Sequence, residues 1–564
     1  MSLVLDISLI KTTFSGTEKH YFIDYKTSNK FKDDKVYSDS NDTFLLLDGV
    51  VLNKKELLQS SSENNWNDYL VESYKKDGDT FFKKLKGSYY GVLYDKKADK
   101  WIIFNDHIGS KYIYHADYNG HVVFSDNYSE LGKYLAEKNV PLSLNIQGAE
   151  LLLSYGYTFE DITTFNEIKR MLIGHYSLIT NNKLKFNKFF QLSNNPIEIT
   201  EDEAIEIIDK KFRNATKLAF DKDIEYGYKH LTSMSGGLDS RMVSWVANDL
   251  GYYNQLNITF SQTNSLDETI AKEIASDLKN EWLFKALDNG SFLKDIDATT
   301  ILSGGNVLSY GLSHQMSMLN YMNFDKLGIL HTGQLGDVVI SSFSKSKAHI
   351  PYSKTDGMYS SVLTNELNDL KFKGVYPNQE IFLMYVRGFY GANQGLAPAQ
   401  NFTEVYSPFY DIDFLNFALS IPLKLRVNHN LYKKWILKKY PAAANYKWDK
   451  INTKIDNNFK FNLGKREIYI NNLPEMIINK LCRRSSYDNI NSMNPIGYWY
   501  NNNDDLKDFI NNYYKENISL IKNKRIINFC IKLFNDNSIL EKIQVISLLS
   551  SVKLLQKINN GIKK

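Results

Sequence analysis

The run Ser235-Gly236-Gly237-Leu238-Asp239-Ser240 has the residue types of a polyphosphate site. Two glycines let the backbone approach an anion with no side chain in the way. Ser235 and Ser240 bring hydroxyl donors, and a helix opening on this run would add backbone N–H groups and partial positive charge. Asp239 would repel a bare phosphate but suits one bridged by Mg²⁺. A second run, Thr332-Gly333-Gln334-Leu335-Gly336-Asp337, repeats the order of glycine turn and then aspartate. One carboxylate from each run can hold a shared metal ion, which offsets charge as a bond to the α-phosphate of ATP breaks. Neither run is a P-loop ending in Gly-Lys-Ser/Thr, nor a Rossmann Gly-x-Gly-x-x-Gly. Taken singly, the first is also what a capped helix after a glycine turn looks like. The pair is what points to ATP.

Elements must position these residues. Both runs follow apolar stretches that read as strands, Tyr228 to Met234 and Gly328 to His331, and amphipathic Arg241 to Leu250 follows the first. Gln255 to Phe260 and Trp282 to Ala286 read as further strands, Glu201 to Leu218 and Leu266 to Leu278 as helices. This alternation predicts a parallel α/β sheet with right-handed crossovers and a ligand at the carboxyl ends of its strands. Residues 1–190 read as mostly β. Met1 to Ile10 is a first strand, since it lacks the basic n-region and small-residue cleavage site of a signal peptide. Phe44 to Leu47 ends at a turn, Asp48-Gly49. Tyr89 to Tyr94, Trp101 to Phe104, Tyr112 to His115 and His121 to Ser125 follow, with Asn119-Gly120 as a hairpin turn. Trp66 to Lys75 reads as a helix. Gln191 to Ile199, with Pro196, reads as a linker, and the chain beyond 360 as mainly helical. The expected fold class is α/β: an α+β N-terminal sandwich of antiparallel sheets over 1–190, and over 200–564 a parallel α/β sheet of the ATP-pyrophosphatase type with additional helices.

The 564 residues exceed one ordinary core. Hydrophobic residues make up 43% and charged residues 23%, with a net charge of +4, so nothing calls for nucleic acid. Two cysteines, Cys482 and Cys530, exclude zinc clusters and fit a reducing cytoplasm. No apolar run reaches the length of a membrane span. Ile539 to Leu555 comes nearest, but Glu541, Lys542, Gln544 and Lys553 make it an amphipathic helix, and Lys553 to Lys564 reads as a solvated basic tail.

With these motifs the chain resembles the asparagine synthetase family over most of its length. Ser235 to Ser240 matches that family's Ser-Gly-Gly-x-Asp-Ser pyrophosphate loop, and Gly333 to Asp337 is similar to its second loop. Asp267 stands in its Ser-x-Asp element. Pro408-Phe409-Tyr410-Asp411 with Ile421-Pro422 is similar to its Pro-Phe-Leu-Asp and Leu-Pro stretch. The resemblance implies that Met234, Ser235, Gly236, Gly237, Asp239, Ser240, Phe260, Thr332 and Gly333 bind the nucleotide. It also implies that Asp239 and Asp337 hold Mg²⁺ and act in catalysis, and that a later lysine assists, Lys450 with Lys447 and Lys454 as rivals. Leu47 to Asn53, Gly87 to Asp95, Asp106 to Gly109, Tyr155 to Tyr157 and Gly174 to Tyr176 resemble the family's glutamine-hydrolysing domain.

The departures matter as much. Ser2 stands where that domain has its N-terminal cysteine nucleophile. Asp48 replaces an oxyanion-hole asparagine, which puts negative charge where an oxyanion develops. Val50 replaces a glutamate, and the Arg-His-Arg-Gly-Pro-Asp stretch is absent. The expectation is a glutaminase fold that does not hydrolyse glutamine. In the second half Gln334 replaces the glutamate that handles the amine and Val338 an acidic neighbour. Arg241 reads as reaching an anionic substrate or facing solvent. The implied function is an ATP-dependent amide-forming ligase that adenylates a carboxylate, releases pyrophosphate and passes the acyl group to an amine. The substrate class would be a peptide or small molecule (lactam or macrolactam formation) or a sugar carboxylate of a surface glycan. Ammonia, a partner glutaminase or a substrate amine would supply the nitrogen. The sequence is compatible with a homodimer or a biosynthetic partner protein. Two other readings stand beside it: a non-catalytic binding protein that keeps the fold, and an ATP pyrophosphatase acting on a nucleobase or tRNA.

Overall fold

The computed structural model describes residues 2–9, 21–367, 370–457, 460–463, 466–469, 489–535 and 538–561. Cys482 lies outside them, and Cys530 is buried.

The first half stacks two antiparallel sheets. One has the order β2-β1-β8-β7-β9 and the other β11-β10-β6-β5-β4-β3. The first comprises β1 (Ser2–Ser8), β2 (Tyr21–Lys26), β7 (Tyr114–Tyr118), β8 (His121–Ser125) and β9 (Lys169–Arg170). The second comprises β3 (Val36–Asp39), β4 (Thr43–Val51), β5 (Gly87–Asp95), β6 (Lys100–Asn105), β10 (His175–Thr180) and β11 (Lys183–Lys188). Strand alternation sets the layers. Leu3, Leu5 and Ile7 meet Phe44, Leu46, Tyr90 and Val92 between the sheets. Leu45, Leu47 and Leu93 point the other way, onto Trp66, Leu70 and Tyr74 of the helix Trp66–Asp77. Val4 and Val123 back onto Leu131 and Leu135 of the helix Tyr128–Glu137. Strands buried on both faces explain unbroken apolar runs such as Phe44 to Leu47. Asp48-Gly49 is not a turn: β4 runs through it to Val51. Gly49 takes φ +120° there, and a Cβ would lie 2.2 Å from the Ser88 carbonyl oxygen.

The second half holds a parallel sheet of order β14-β13-β12-β15-β16. Its strands are β12 (Lys229–Ser233), β13 (Gln255–Ser261), β14 (Glu281–Ala286), β15 (Leu327–His331) and β16 (Val405–Tyr406). The α/β expectation holds in both halves. The helix Glu201–Glu225 opens on a reciprocal cap between Thr200 and Glu203. At its far end buried Asp223 accepts from the Ile329 N–H at 2.8 Å and lies 2.9 Å from His230 Nδ1 and 2.7 Å from His331 Nε2. Burial would raise this carboxyl, but the two histidines hold it below its ordinary value. One side chain thereby joins β12 and β15, the two strands that lead into the aspartate loops.

Two tail readings need correction. The helix Ile539–Gly561 is not a surface amphipathic helix: Glu541 and Gln544 are buried along with its apolar residues. Nor is Lys553 part of a loose tail, since it lies in that helix and pairs with Asp297. Among the described residues no helix is long and apolar enough to cross a membrane.

Candidate functional site

β12 ends at Ser233, and the glycine loop then delivers the chain into the helix Leu238–Asp249. Gly237, its N-cap, offers no side-chain acceptor, so the first N–H groups of this helix are not capped by a side chain. Within the loop the Ser235 N–H donates to Ser240 Oγ at 3.0 Å, the two hydroxyls lie 2.9 Å apart, and the Gly236 N–H donates to Asp267 Oδ1 at 3.1 Å.

β15 ends beside it, and the second loop packs directly on the first. A Cβ on Gly333 would fall 2.4 Å from the Ser240 nitrogen, and one on Gly336 2.7 Å from Asp239 Cγ. Only glycines permit this approach, which places Asp337 next to Asp239. Tyr432 donates its hydroxyl to Asp239 Oδ1 at 2.9 Å, and His429 Nε2 lies 3.6 Å from Asp337 Oδ2. Lys450 Nζ is 3.4 Å from the same His429 nitrogen. Burial and the neighbouring Asp337 charge push the Asp239 carboxyl well above the ordinary range. Burial acts on Asp337 in the same direction, but His429 and Lys450 outweigh it and hold that carboxyl low. Burial keeps His429 below its ordinary value against the pull of Asp337.

These groups face a cavity of about 1030 Å³. Of the residues expected to bind nucleotide or metal, Met234, Ser235, Gly237, Asp239, Ser240, Phe260, Thr332, Gly333 and Asp337 line it. Gly236 sits behind the loop, where a Cβ would meet Asp449 at 2.9 Å. Among the three lysines considered, Lys450 lines the cavity. Lys447 is exposed and lends only its carbonyl, to Arg241, and Lys454 is also exposed. Arg241 neither reaches a substrate nor faces solvent: it is wholly buried and donates to the carbonyls of Gly236, Ala443 and Lys447, tying the loop to the later chain.

Sequence reading missed Tyr432, His429 and His314. His314 lies against Phe260, ring centroids 5.0 Å apart, and burial lowers it to about 4, so it is neutral at pH 7. None of the three sits in a glycine run. The one local signal was Asn428-His429, which breaks regular structure with φ of 58° and 60° before the helix Asn430–Lys439.

In the first half, Ser2 is half-buried in β1, opposite Lys26. Asp48, with its side chain 1% exposed, accepts from the Tyr25 hydroxyl at 2.7 Å and lies 3.5 Å from Lys35 Nζ and 3.9 Å from Lys111 Nζ. Burial would raise its carboxyl, but Lys111 and Lys35 bring it below its ordinary value. Lys111 also pairs with Glu404 at 2.9 Å, linking the two halves.

Residues 33–190 match the model of a glutamine amidotransferase domain, so this region is of the glutamine amidotransferase type. No curated protein sequence matches the chain. Two solved structures are similar over 50% of it. Glutamine phosphoribosylpyrophosphate amidotransferase from B. subtilis, complexed with ADP and GMP, has 12% identity, 75% of that chain covered and a TM-score of 0.22. A structure described as the allosteric regulatory enzyme of purine biosynthesis has 10% identity, 74% covered and a TM-score of 0.23. Likenesses this faint bear on neither activity nor substrate.

Proposed function

We propose that the chain is an ATP-dependent amide-forming ligase of the asparagine synthetase type, with a glutaminase-like half that no longer hydrolyses glutamine. The observation that carries this reading is the pair Asp239 and Asp337. Two glycine loops at the ends of adjacent parallel strands bring them together on one cavity with Lys450.

The residues fit Mg²⁺ and a nucleotide. Burial and the neighbouring Asp337 charge leave Asp239 with an abnormally high proton affinity, which a divalent cation relieves. The uncapped start of the helix Leu238–Asp249 and the Ser235 and Ser240 hydroxyls offer donors to a pyrophosphate. Mg²⁺ bound between the aspartates would offset charge on the phosphates as the substrate carboxylate displaces pyrophosphate. Phe260 and His314 form an aromatic wall suited to a base. Lys450 brings its ammonium group to the same end of the cavity as the aspartates, where it can stabilise the negative charge that develops on acyl transfer. Ser2 in place of a thiol, and Asp48 locked between two lysines, support the loss of glutamine hydrolysis. The amine then arrives as ammonia or on a substrate.

The test is calorimetric titration of wild type and Asp239→Ala with a non-hydrolysable ATP analogue and Mg²⁺. Binding in wild type that the variant loses supports the reading. No binding in wild type would favour a non-catalytic binding protein.

A further inference from the structure

The cavity lining just beyond the second glycine loop is cationic. After the helix Gly336–Ile340 the chain runs Ser341-Ser342-Phe343-Ser344-Lys345-Ser346-Lys347, and Ser342 to Lys345 line the cavity. Ser342 Oγ accepts the Ser344 N–H at 2.9 Å, and Ser344 Oγ accepts the Ser346 N–H at 3.2 Å. Both hydroxyls are used as acceptors, and among the described residues neither donates its own proton. Arg387 reaches the same wall from the π-helical turn Met384–Gly391, its guanidinium 5.3 Å above the Phe343 ring. Neither Arg387 nor Lys345 is paired with a carboxylate among the described residues. The carboxylates that line the cavity are Asp239, Asp267 and Asp337.

Two unpaired cations from separate segments and two free hydroxyl protons make a set of donors for an anion with several oxygens. A phosphate, with about two negative charges and three terminal oxygens, uses this set more fully than a carboxylate. The space also allows it: about 1030 Å³ is at the upper end of small-molecule pockets, room for a second molecule beside a nucleotide. We propose that Ser342, Ser344, Lys345 and Arg387 bind a phosphate group carried by the substrate, separate from the phosphates of ATP. This rests on the nucleotide reading of the glycine loops.

The test is calorimetric titration with methyl phosphate, dimethyl phosphate and acetate, with the nucleotide site saturated by a non-hydrolysable ATP analogue and Mg²⁺, and again without it. Methyl phosphate is expected to bind at least about tenfold more tightly than acetate. Arg387→Ala should abolish that preference and Arg387→Lys keep part of it. Dimethyl phosphate separates the sources: binding as tight as the monoester assigns a diester or nucleotide-linked substrate, and weaker binding assigns a monoester. Acetate binding as tightly as methyl phosphate would overturn the proposal. So would unchanged methyl phosphate affinity in Arg387→Ala, or no binding of either phosphate. Failure of the ATP analogue to bind would instead sink the nucleotide reading, and the Arg387-dependent titration without it would still report on this wall.

Discussion

Asp48 and the pair Asp239 and Asp337 are buried aspartates that the molecule treats in opposite ways. Asp48 is sealed in the first half with Lys35 at 3.5 Å, Lys111 at 3.9 Å and the Tyr25 hydroxyl at 2.7 Å. Its countercharges are part of the chain. Asp239 and Asp337 face a cavity, and around their loop Asp267 and Asp449 add two further carboxylates to the same neighbourhood. There, among the described residues, the cations are Lys433, Lys450 and the buried Arg241. A site that carries its own neutralising charges is finished as folded. A site with surplus negative charge gains most when a cation from solution joins it. This contrast separates the two halves better than either aspartate does alone.

The largest expected effect breaks the sealed side. Asp48→Ala leaves buried Lys35 without its carboxylate and Lys111 with Glu404 alone, and is expected to destabilise the protein by about 3 kcal/mol in urea unfolding. A loss under about 1 kcal/mol would mean that the site is not sealed. Next comes the open side. A non-hydrolysable ATP analogue with Mg²⁺ at a hundred times its Kd should stabilise wild type by about 2.7 kcal/mol, and Asp337→Asn should remove that gain. Without ligand the same variant should be less stable than wild type at pH 7, because it gives up the attraction of His429 and Lys450 that holds the Asp337 carboxyl low; thermal unfolding reads both.

A smaller effect sharpens the contrast through pH. Burial, and then Asp449, push the Asp267 carboxyl up to about 7 from an ordinary 3.8. The folded state therefore binds this proton more tightly than the unfolded chain. The stability it contributes is present below pH 3.8 and is lost as pH rises through about 7. In metal-free buffer Asp267→Asn should be more stable than wild type at pH 8 by about 1–2 kcal/mol, with the gap gone by pH 4. An equal gap at both pH values would count against an Asp267 that ionises at cost. Smallest of all, the proposed loss of glutaminase activity, in which Asp48 replaces an oxyanion donor, predicts that Ser2→Cys releases no glutamate from glutamine. Release above background would reopen the first half as a working glutaminase.

Much of the open site was legible because its chemistry sits in short runs. Ser235 to Ser240 and Thr332 to Asp337 announce their glycines and aspartates locally, and the strands before them carry the period of buried sheet. What could not be read was contributed from far along the chain. Tyr432 reaches Asp239 across 193 positions, and His429 meets Lys450 across 21. Tyr432 has no local pattern to betray it, and His429 only the break at Asn428-His429. Asp48-Gly49 misled for a related reason: the dipeptide favours turns, but pairing with Tyr90 and Tyr89 of β5 held β4 straight through it. Arg241 misled because a charged residue early in a helix suggests solvent, whereas backbone carbonyls from 443 and 447 enclose it. The domain limits at 190 and 200 remain a proposal, and Leu192 and Asn194 between them are buried.

The helix Ile539–Gly561 has a consequence for how the molecule is made. Its apolar residues pack on both the first-half helices and those of the second half, and Gly305 leaves room for Ser551 where a Cβ would fall 2.4 Å from its hydroxyl oxygen. During synthesis this segment leaves the ribosome after every partner it touches. Until it does, Leu131, Leu135 and Phe165 on one side and Leu308 on the other lack their cover. The nascent chain carries that open apolar seam until residues 539–561 emerge, so the first half completes its packing only after the second half has been made.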